Sequence, residues 1–247
     1  MSECNRKDQR RAIARWALFA TVALVPVALV PVMARAQDAA SVRSLPLIEL
    51  PVTGTRSEVA IVLSGDGGWA DIDRKIGEDL AAHGLAVVGF DTRAYLRKKR
   101  TPDEVATDLR RVVAYEMART HRDRVLLAGY SRGADLLVFA AARMAPDLRA
   151  HVPLVALLGL GQRTGFEFHW IDVVKDVHRP DDRLTAPEVA RMRGMRMLCV
   201  YGLEEKASGC AGQDSTLMHV VSRSGSHHFD GDYHALSQLI LRELPNP

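Results

Sequence analysis

From about residue 45 onward, short unbroken apolar runs alternate with stretches whose apolar residues recur every three or four positions. Glu58-Val59-Ala60-Ile61-Val62-Leu63-Ser64 reads as a strand buried on both faces, and the turn Gly65-Asp66-Gly67-Gly68 ends it. Asp71 to His83 follows with Ile72, Ile76 and Leu80 on one helical face, stopped by Gly84. Leu85-Ala86-Val87-Val88-Gly89-Phe90 is the next predicted strand. Thr101-Pro102-Asp103-Glu104 has the form of a capping box with proline in the first turn. It opens a helix that carries Val105, Leu109, Val112, Val113 and Met117 to about Thr120. A strand over Arg124 to Gly129, a helix over Arg132 to Met144 and a strand over Val152 to Gly159 come next.

The later part is less regular. Phe166-Glu167-Phe168-His169-Trp170-Ile171 alternates like a strand and equally reads as a loop over a site. Met195 to Gly202 and Leu217 to Ser222 are strands, and Tyr233 to Leu244 is a closing amphipathic helix. Apolar strands alternating with helices predict an α/β fold: a mostly parallel sheet with helices on both faces, in one domain over 37–247. No internal repeat interrupts it.

Composition adds little until it is divided along the chain. The 247 residues are 47% hydrophobic and 26% charged, an ordinary globular balance, with a net charge of +3. Six basic and two acidic residues fall within 1–36, which leaves 27 basic and 28 acidic over 37–247. A nearly neutral body excludes nucleic-acid binding driven by bulk charge. The basic start ends at Arg15, an apolar run spans Val22 to Ala34, and Ala34-Arg35-Ala36 fits the small-x-small rule. Residues 1–36 are therefore expected to be a signal peptide cleaved after Ala36, giving a periplasmic protein. An uncleaved anchor is the alternative, at the lower limit of spanning length and with Pro26 and Pro31 inside it. Arg10-Arg11 is a weak twin-arginine feature, and Cys4 leaves with the signal.

The chemistry is concentrated at Gly129-Tyr130-Ser131-Arg132-Gly133, a G-x-S-x-G set between a strand and a helix. In that position the serine sits in a strained turn that exposes its Oγ, and glycines on either side remove clashing side chains. A nucleophilic serine needs a base after the last strand and a carboxylate after the strand before it. His227 is the preferred base, two residues after Gly225, with His228 the alternate. Glu205 is the preferred acid, three residues after Gly202, with Glu204 the alternate. Oxyanion donors are expected from the N–H of Arg132 and from Asp66 or Gly67.

Other groupings in the sequence compete with this one. Gly65-Asp66-Gly67-Gly68-Trp69 lacks the Lys-Ser/Thr of a phosphate loop. His227-His228-x-Asp230-x-Asp232-x-His234 has metal-ligand residue types at no standard spacing, so no metal and no cofactor is expected. Cys199 and Cys210 flank the acid segment and can pair across it in an oxidising compartment. Arg93-Ala94-Tyr95-Leu96-Arg97-Lys98-Lys99-Arg100 reads first as a solvated loop and second as a contact for anionic lipid headgroups.

Taken together, Leu63-Ser64-Gly65-Asp66-Gly67-Gly68-Trp69, Arg100-Thr101-Pro102, Gly129-Tyr130-Ser131-Arg132-Gly133-Ala134-Asp135, Tyr201-Gly202 with Glu205, Ser208 and Cys210, and His227-His228-Phe229-x-Gly231-Asp232-Tyr233 resemble the VirJ/AcvB family of bacterial virulence factors. The resemblance runs over about residues 45–245. It implies an α/β-hydrolase fold, export to the periplasm and hydrolysis of aminoacylated phosphatidylglycerol, notably lysyl-phosphatidylglycerol. It also implies a link to type IV secretion. For such a substrate, Asp66 or Asp135 is expected to meet the ammonium group, with Trp69 as a further substrate contact. The competing expectations are a non-catalytic accessory that binds type IV secretion components, and an esterase for a soluble ester.

Overall fold

A computed structural model describes residues 39–245, apart from 53, 174–176 and 178. The expected signal peptide and its cleavage point lie outside the described residues. Among the described residues no helix is long and apolar enough to cross a membrane.

The described chain begins in a helical stretch over 39–43 (α1), then adds β1 (Leu47–Glu49), β2 (Glu58–Leu63), α2 (Asp71–Ala82) and β3 (Ala86–Phe90). The short α3 (Thr92–Tyr95) leads to α4 (Pro102–Thr120), β4 (Arg124–Tyr130), α5 (Arg132–Ala141), α6 (Pro146–Arg149) and β5 (Leu154–Leu158). Beyond these come β6 (Arg163–Thr164), β7 (Arg183–Leu184), α7 (Ala186–Arg191), β8 (Met197–Gly202), β9 (His219–Arg223) and α8 (Tyr233–Glu243). Seven strands form one sheet in the order β1-β3-β2-β4-β5-β8-β9, parallel throughout except for the edge strand β1. A separate antiparallel ribbon pairs β6 with β7.

The unbroken apolar strands are explained by two cores. Alternate side chains of each strand point to opposite faces. Ile61, Leu127 and Leu157 meet α4 and α5 through Leu109, Val113, Leu136 and Phe139 on one side. Val62, Leu126 and Ala156 meet α2 and α8 through Ile76, Leu80, Leu236 and Ile240 on the other. The predicted cap of α4 forms: Glu104 N–H donates to Thr101 Oγ1 at 3.2 Å and Thr101 N–H donates to Glu104 Oε2 at 2.7 Å, worth about 1 kcal/mol to the helix.

The differences from the sequence reading lie where local pattern is short. Residues 166–171 are loop, with a 3-10 turn beginning at Trp170, so the loop reading holds and the strand reading does not. The alternation there comes from Phe166 packing inward, edge-on to Phe139 at 5.0 Å, while Trp170 faces out. β1, α3 and the two-residue ribbon are absent from the reading, because three or four residues cannot show a period. The helix after Ser131 ends at Ala141 rather than Met144.

Candidate active site

All parallel strands end on one edge of the sheet, and three of the turns there carry the polar side chains that matter. β4 runs directly into α5 through Ser131, whose φ of 52° and ψ of −122° belong to the left-handed region that β-carbon-bearing residues avoid. Neighbouring glycines make this turn possible. A Cβ on Gly133 would stand 2.2 Å from the Leu63 carbonyl oxygen, and one on Gly129 would stand 2.6 Å from the Gly133 backbone. Strain stored at a strand-to-helix corner, held by a packed core, is the local signature of a nucleophile elbow.

The structure brings Ser131, His227 and Glu205 into one line. Ser131 Oγ lies 2.8 Å from His227 Nε2, and His227 Nδ1 is hydrogen-bonded to Glu205 Oε1. The second oxygen of Glu205 accepts the Gly202 N–H at 2.8 Å, so the carboxylate is oriented by the end of β8. Gly159 lets the imidazole in: a Cβ there would stand 2.7 Å from His227 Cε1. The two alternates are placed elsewhere. His228 is exposed and hydrogen-bonds through Nδ1 to the Tyr130 hydroxyl at 3.0 Å. Glu204 is exposed, its N–H donating to the Gly225 carbonyl at 3.0 Å.

The acid segment is tied down covalently. Cys199 and Cys210 form a disulfide with Cα atoms 5.6 Å apart, across the loop that holds Glu205. Closing a loop of this length restricts the unfolded chain by roughly 3 kcal/mol, and it limits how far the Glu205 loop can move.

The loop after β2 approaches the elbow from the other side. The Arg132 guanidinium clamps Asp66, with Nε at 3.1 Å from Oδ1 and Nη2 at 3.1 Å from Oδ2, and its Nη1 donates to Thr164 Oγ1 at 3.0 Å. Asp66, Gly67, Ser131 and His227 line one cavity of about 520 Å³. Thus the side chain of the elbow's own arginine fixes the loop expected to donate to an oxyanion, a link not visible in the sequence.

Two buried carboxylates flank this arrangement. Asp135, one helical turn beyond Ser131, lines the cavity and accepts the Gly161 N–H at 2.8 Å. Burial pushes its carboxyl up to about 6, against the opposing pull of the Arg132 guanidinium and the Gly161 N–H. Asp73, in the first turn of α2, is almost wholly buried and accepts the Ala70 N–H at 3.1 Å. Burial pushes it up to about 7, opposed by the backbone N–H groups of Ala70, Asp73 and Gly65 and reinforced by the Asp91 carboxylate. Its hydrogen-bond partners at both ends of 65–70 make Asp73 the internal strut of that loop.

Two expected substrate contacts need correction. Trp69 is not among the cavity-lining residues. Its indole packs on the backbone of Gly77 and Gly89, where a Cβ on Gly89 would stand 2.5 Å from Cζ3. It lies against the core on the α2 side. The Asp66 carboxylate is engaged by Arg132 on both oxygens, and an anion already neutralised by a guanidinium is a poor seat for an ammonium. Asp135 keeps the role open.

Among the described residues, no group of three or more His, Cys, Asp or Glu side chains is placed to hold a metal ion. Of the run after His227, Asp232 caps α8 and pairs with Arg223 at 3.1 Å, and His234 hydrogen-bonds to Asp79 at 2.9 Å.

Sheet order, elbow and the Ser–His–carboxylate line together define a protein of the α/β-hydrolase class. The family model of the bacterial virulence protein (VirJ) matches residues 57–246, and the chain belongs to that family. No curated protein matches it in sequence. Among solved structures, Est1E from Butyrivibrio proteoclasticus with ferulic acid bound superposes with a TM-score of 0.56 at 15% identity, covering 80% of this chain and 93% of that one. XC6422 from Xanthomonas campestris, described as an a/b serine hydrolase without lid, gives 0.54 at 17%, covering 81% and 89%. The enol-lactonase from Burkholderia xenovorans LB400 gives 0.56 at 17%, covering 81% and 98%. At these identities the likeness is one of fold.

Proposed function

We propose that the protein is a periplasmic serine hydrolase that cleaves the aminoacyl ester of aminoacylated phosphatidylglycerol, with lysyl-phosphatidylglycerol the best-fitting substrate. The observation that carries this reading is the buried Asp135 carboxylate in the same cavity as Ser131 Oγ, one helical turn away. An aminoacyl ester differs from other esters in carrying an ammonium beside its carbonyl, and a carboxylate in that place is its complement. Arg163, exposed on β6, lines the same cavity and suits a phosphodiester.

The geometry supports an acyl-serine route. His227 Nε2 takes the Ser131 proton as Oγ attacks the ester carbonyl, and Glu205 stabilises the imidazolium that forms. The oxyanion is assigned to the N–H groups of Arg132 and of Asp66 or Gly67. The glycerol oxygen leaves with the imidazolium proton. Water, deprotonated by His227, then attacks the acyl-serine and releases the amino acid.

Asp135 gives the selectivity test. Asp135→Asn is expected to raise KM for a lysyl ester by about tenfold or more while leaving a neutral acyl ester of the same alcohol little changed. Because the folded carboxyl titrates near 6, wild-type preference for the lysyl ester should fade as pH drops below that value. Michaelis parameters for both esters between pH 5 and 8 check this. Equal losses for both esters would remove the ammonium assignment. Failure of a serine-directed phosphonate to label the folded protein favours the accessory reading with type IV secretion components instead.

A further inference from the structure

Beside the cavity the molecule exposes an apolar group that no catalytic step uses. Trp170 is 71% exposed and Ile171 51% exposed, at the start of the 3-10 turn. The loop that carries them is hydrogen-bonded to the basic segment: Phe168 N–H donates to the Leu96 carbonyl at 2.9 Å, and Arg100 N–H to the Phe166 carbonyl at 2.8 Å. These bonds set aromatic and cationic side chains next to each other. The Arg93 guanidinium lies 4.4 Å from the centre of the Trp170 ring and 5.1 Å from that of Phe168, and Phe168 meets Trp170 edge-on at 5.3 Å.

The charges on this surface are not all spent internally. Lys99 pairs with Asp181 at 2.8 Å and has Glu167 nearby, and Arg100 stacks on Tyr95 at 4.3 Å. Arg97 and Lys98 are exposed in the turn just before them. The patch also adjoins the active-site mouth. Arg93 Nη1 reaches the carbonyl of Gly67 at 3.4 Å, and Gly67 lines the cavity.

We propose that Trp170 and Ile171, flanked by Arg93, Arg97 and Lys98, form the surface by which the protein docks on an anionic phospholipid bilayer, setting the cavity mouth at the headgroup plane. An indole and a branched aliphatic side chain left in water gain by entering the headgroup–acyl boundary, and guanidinium and ammonium groups beside them meet lipid phosphates. An acidic protein partner would account for the cations and leave the protruding apolar pair unexplained. The placement of the mouth rests on the lipid-ester reading above; the docking itself does not.

The test measures sedimentation of the 37–247 chain with vesicles of plain phosphatidylglycerol and phosphatidylcholine, which contain no aminoacyl lipid. Wild type should bind mixed vesicles, bind pure phosphatidylcholine much less, and weaken as salt rises. The double variant Arg97→Gln/Lys98→Gln should lose about 30-fold in affinity, from a contribution of roughly fivefold per basic residue. Trp170→Ser with Ile171→Ser should lose about tenfold or more. All variants should keep wild-type turnover of lysine methyl ester in solution. Absence of binding by wild type, or binding unchanged in both double variants, overturns the docking surface. Binding to vesicles by a wild type that hydrolyses no aminoacyl ester overturns the hydrolase reading and leaves the surface standing.

Discussion

Ser131→Ala is expected to lower turnover of a simple activated ester by about 10⁴–10⁶-fold, with no loss of folded structure. The size follows from the arrangement: Ser131 Oγ lines the cavity 2.8 Å from His227 Nε2, whose other nitrogen is held by Glu205. The remaining activity should reflect only positioning and oxyanion donors, which the substitution leaves in place. Alanine keeps the Cβ and the same φ of 52°, so the backbone strain at the elbow is unchanged and thermal stability should move by less than about 1 kcal/mol. Hydrolysis of p-nitrophenyl acetate, phosphonate labelling and a melting curve on the same two preparations check each part. Retained labelling in the variant would place the nucleophile elsewhere.

The largest stability effect is expected at Asp73. Its carboxyl is raised from an ordinary value of 3.8 to about 7 because it is buried beside Asp91. Between those two values the folded protein holds a proton that the unfolded chain has released, so stability falls as pH rises through the window and is lowest above it. The difference is roughly 4 kcal/mol once both states are ionised. Asp73→Asn removes the titration and keeps one acceptor for the Ala70 N–H. Relative to wild type, the variant should therefore gain stability steadily from pH 4 to pH 7.5. Denaturant midpoints across that range measure it, and a wild-type-minus-variant difference independent of pH contradicts the assignment. The amide has one acceptor oxygen where the carboxyl has two, so part of the bonding to the N–H groups of residues 65–70 is lost and kcat should fall.

The fold was legible because its strands are long apolar runs and its helices have clear faces and caps. Ile61, Leu127 and Leu157 pack on one side while Val62, Leu126 and Ala156 pack on the other, which is why these strands show no alternation. Edge strand β1 and the β6–β7 ribbon were not legible, since so few residues carry no period and their pairing is decided by distant partners. At the site, the G-x-S-x-G motif and the two loops after β8 and β9 could be read because each follows a strand end. Spacing singled out His227 and Glu205 only as preferences; the difference from His228 and Glu204 is made by Tyr130, whose hydroxyl engages the His228 imidazole, and by the Gly202 N–H, which orients Glu205. Trp69 was misread because a tryptophan after a glycine loop looks like a site residue, while the space over Gly77 and Gly89 that receives it appears only in three dimensions. Asp73 gave no signal: an aspartate in the first turn of a helix ordinarily faces water. It is buried because the loop before it folds back over its carboxylate.

One measurement bears on the whole account: release of free lysine from vesicles containing lysyl-phosphatidylglycerol by residues 37–247, with Ser131→Ala alongside. Wild type should release lysine and phosphatidylglycerol in equal amounts, and the variant none above background. Lysine release that persists in Ser131→Ala, or its absence with a wild-type protein that is folded and labelled at Ser131, contradicts it.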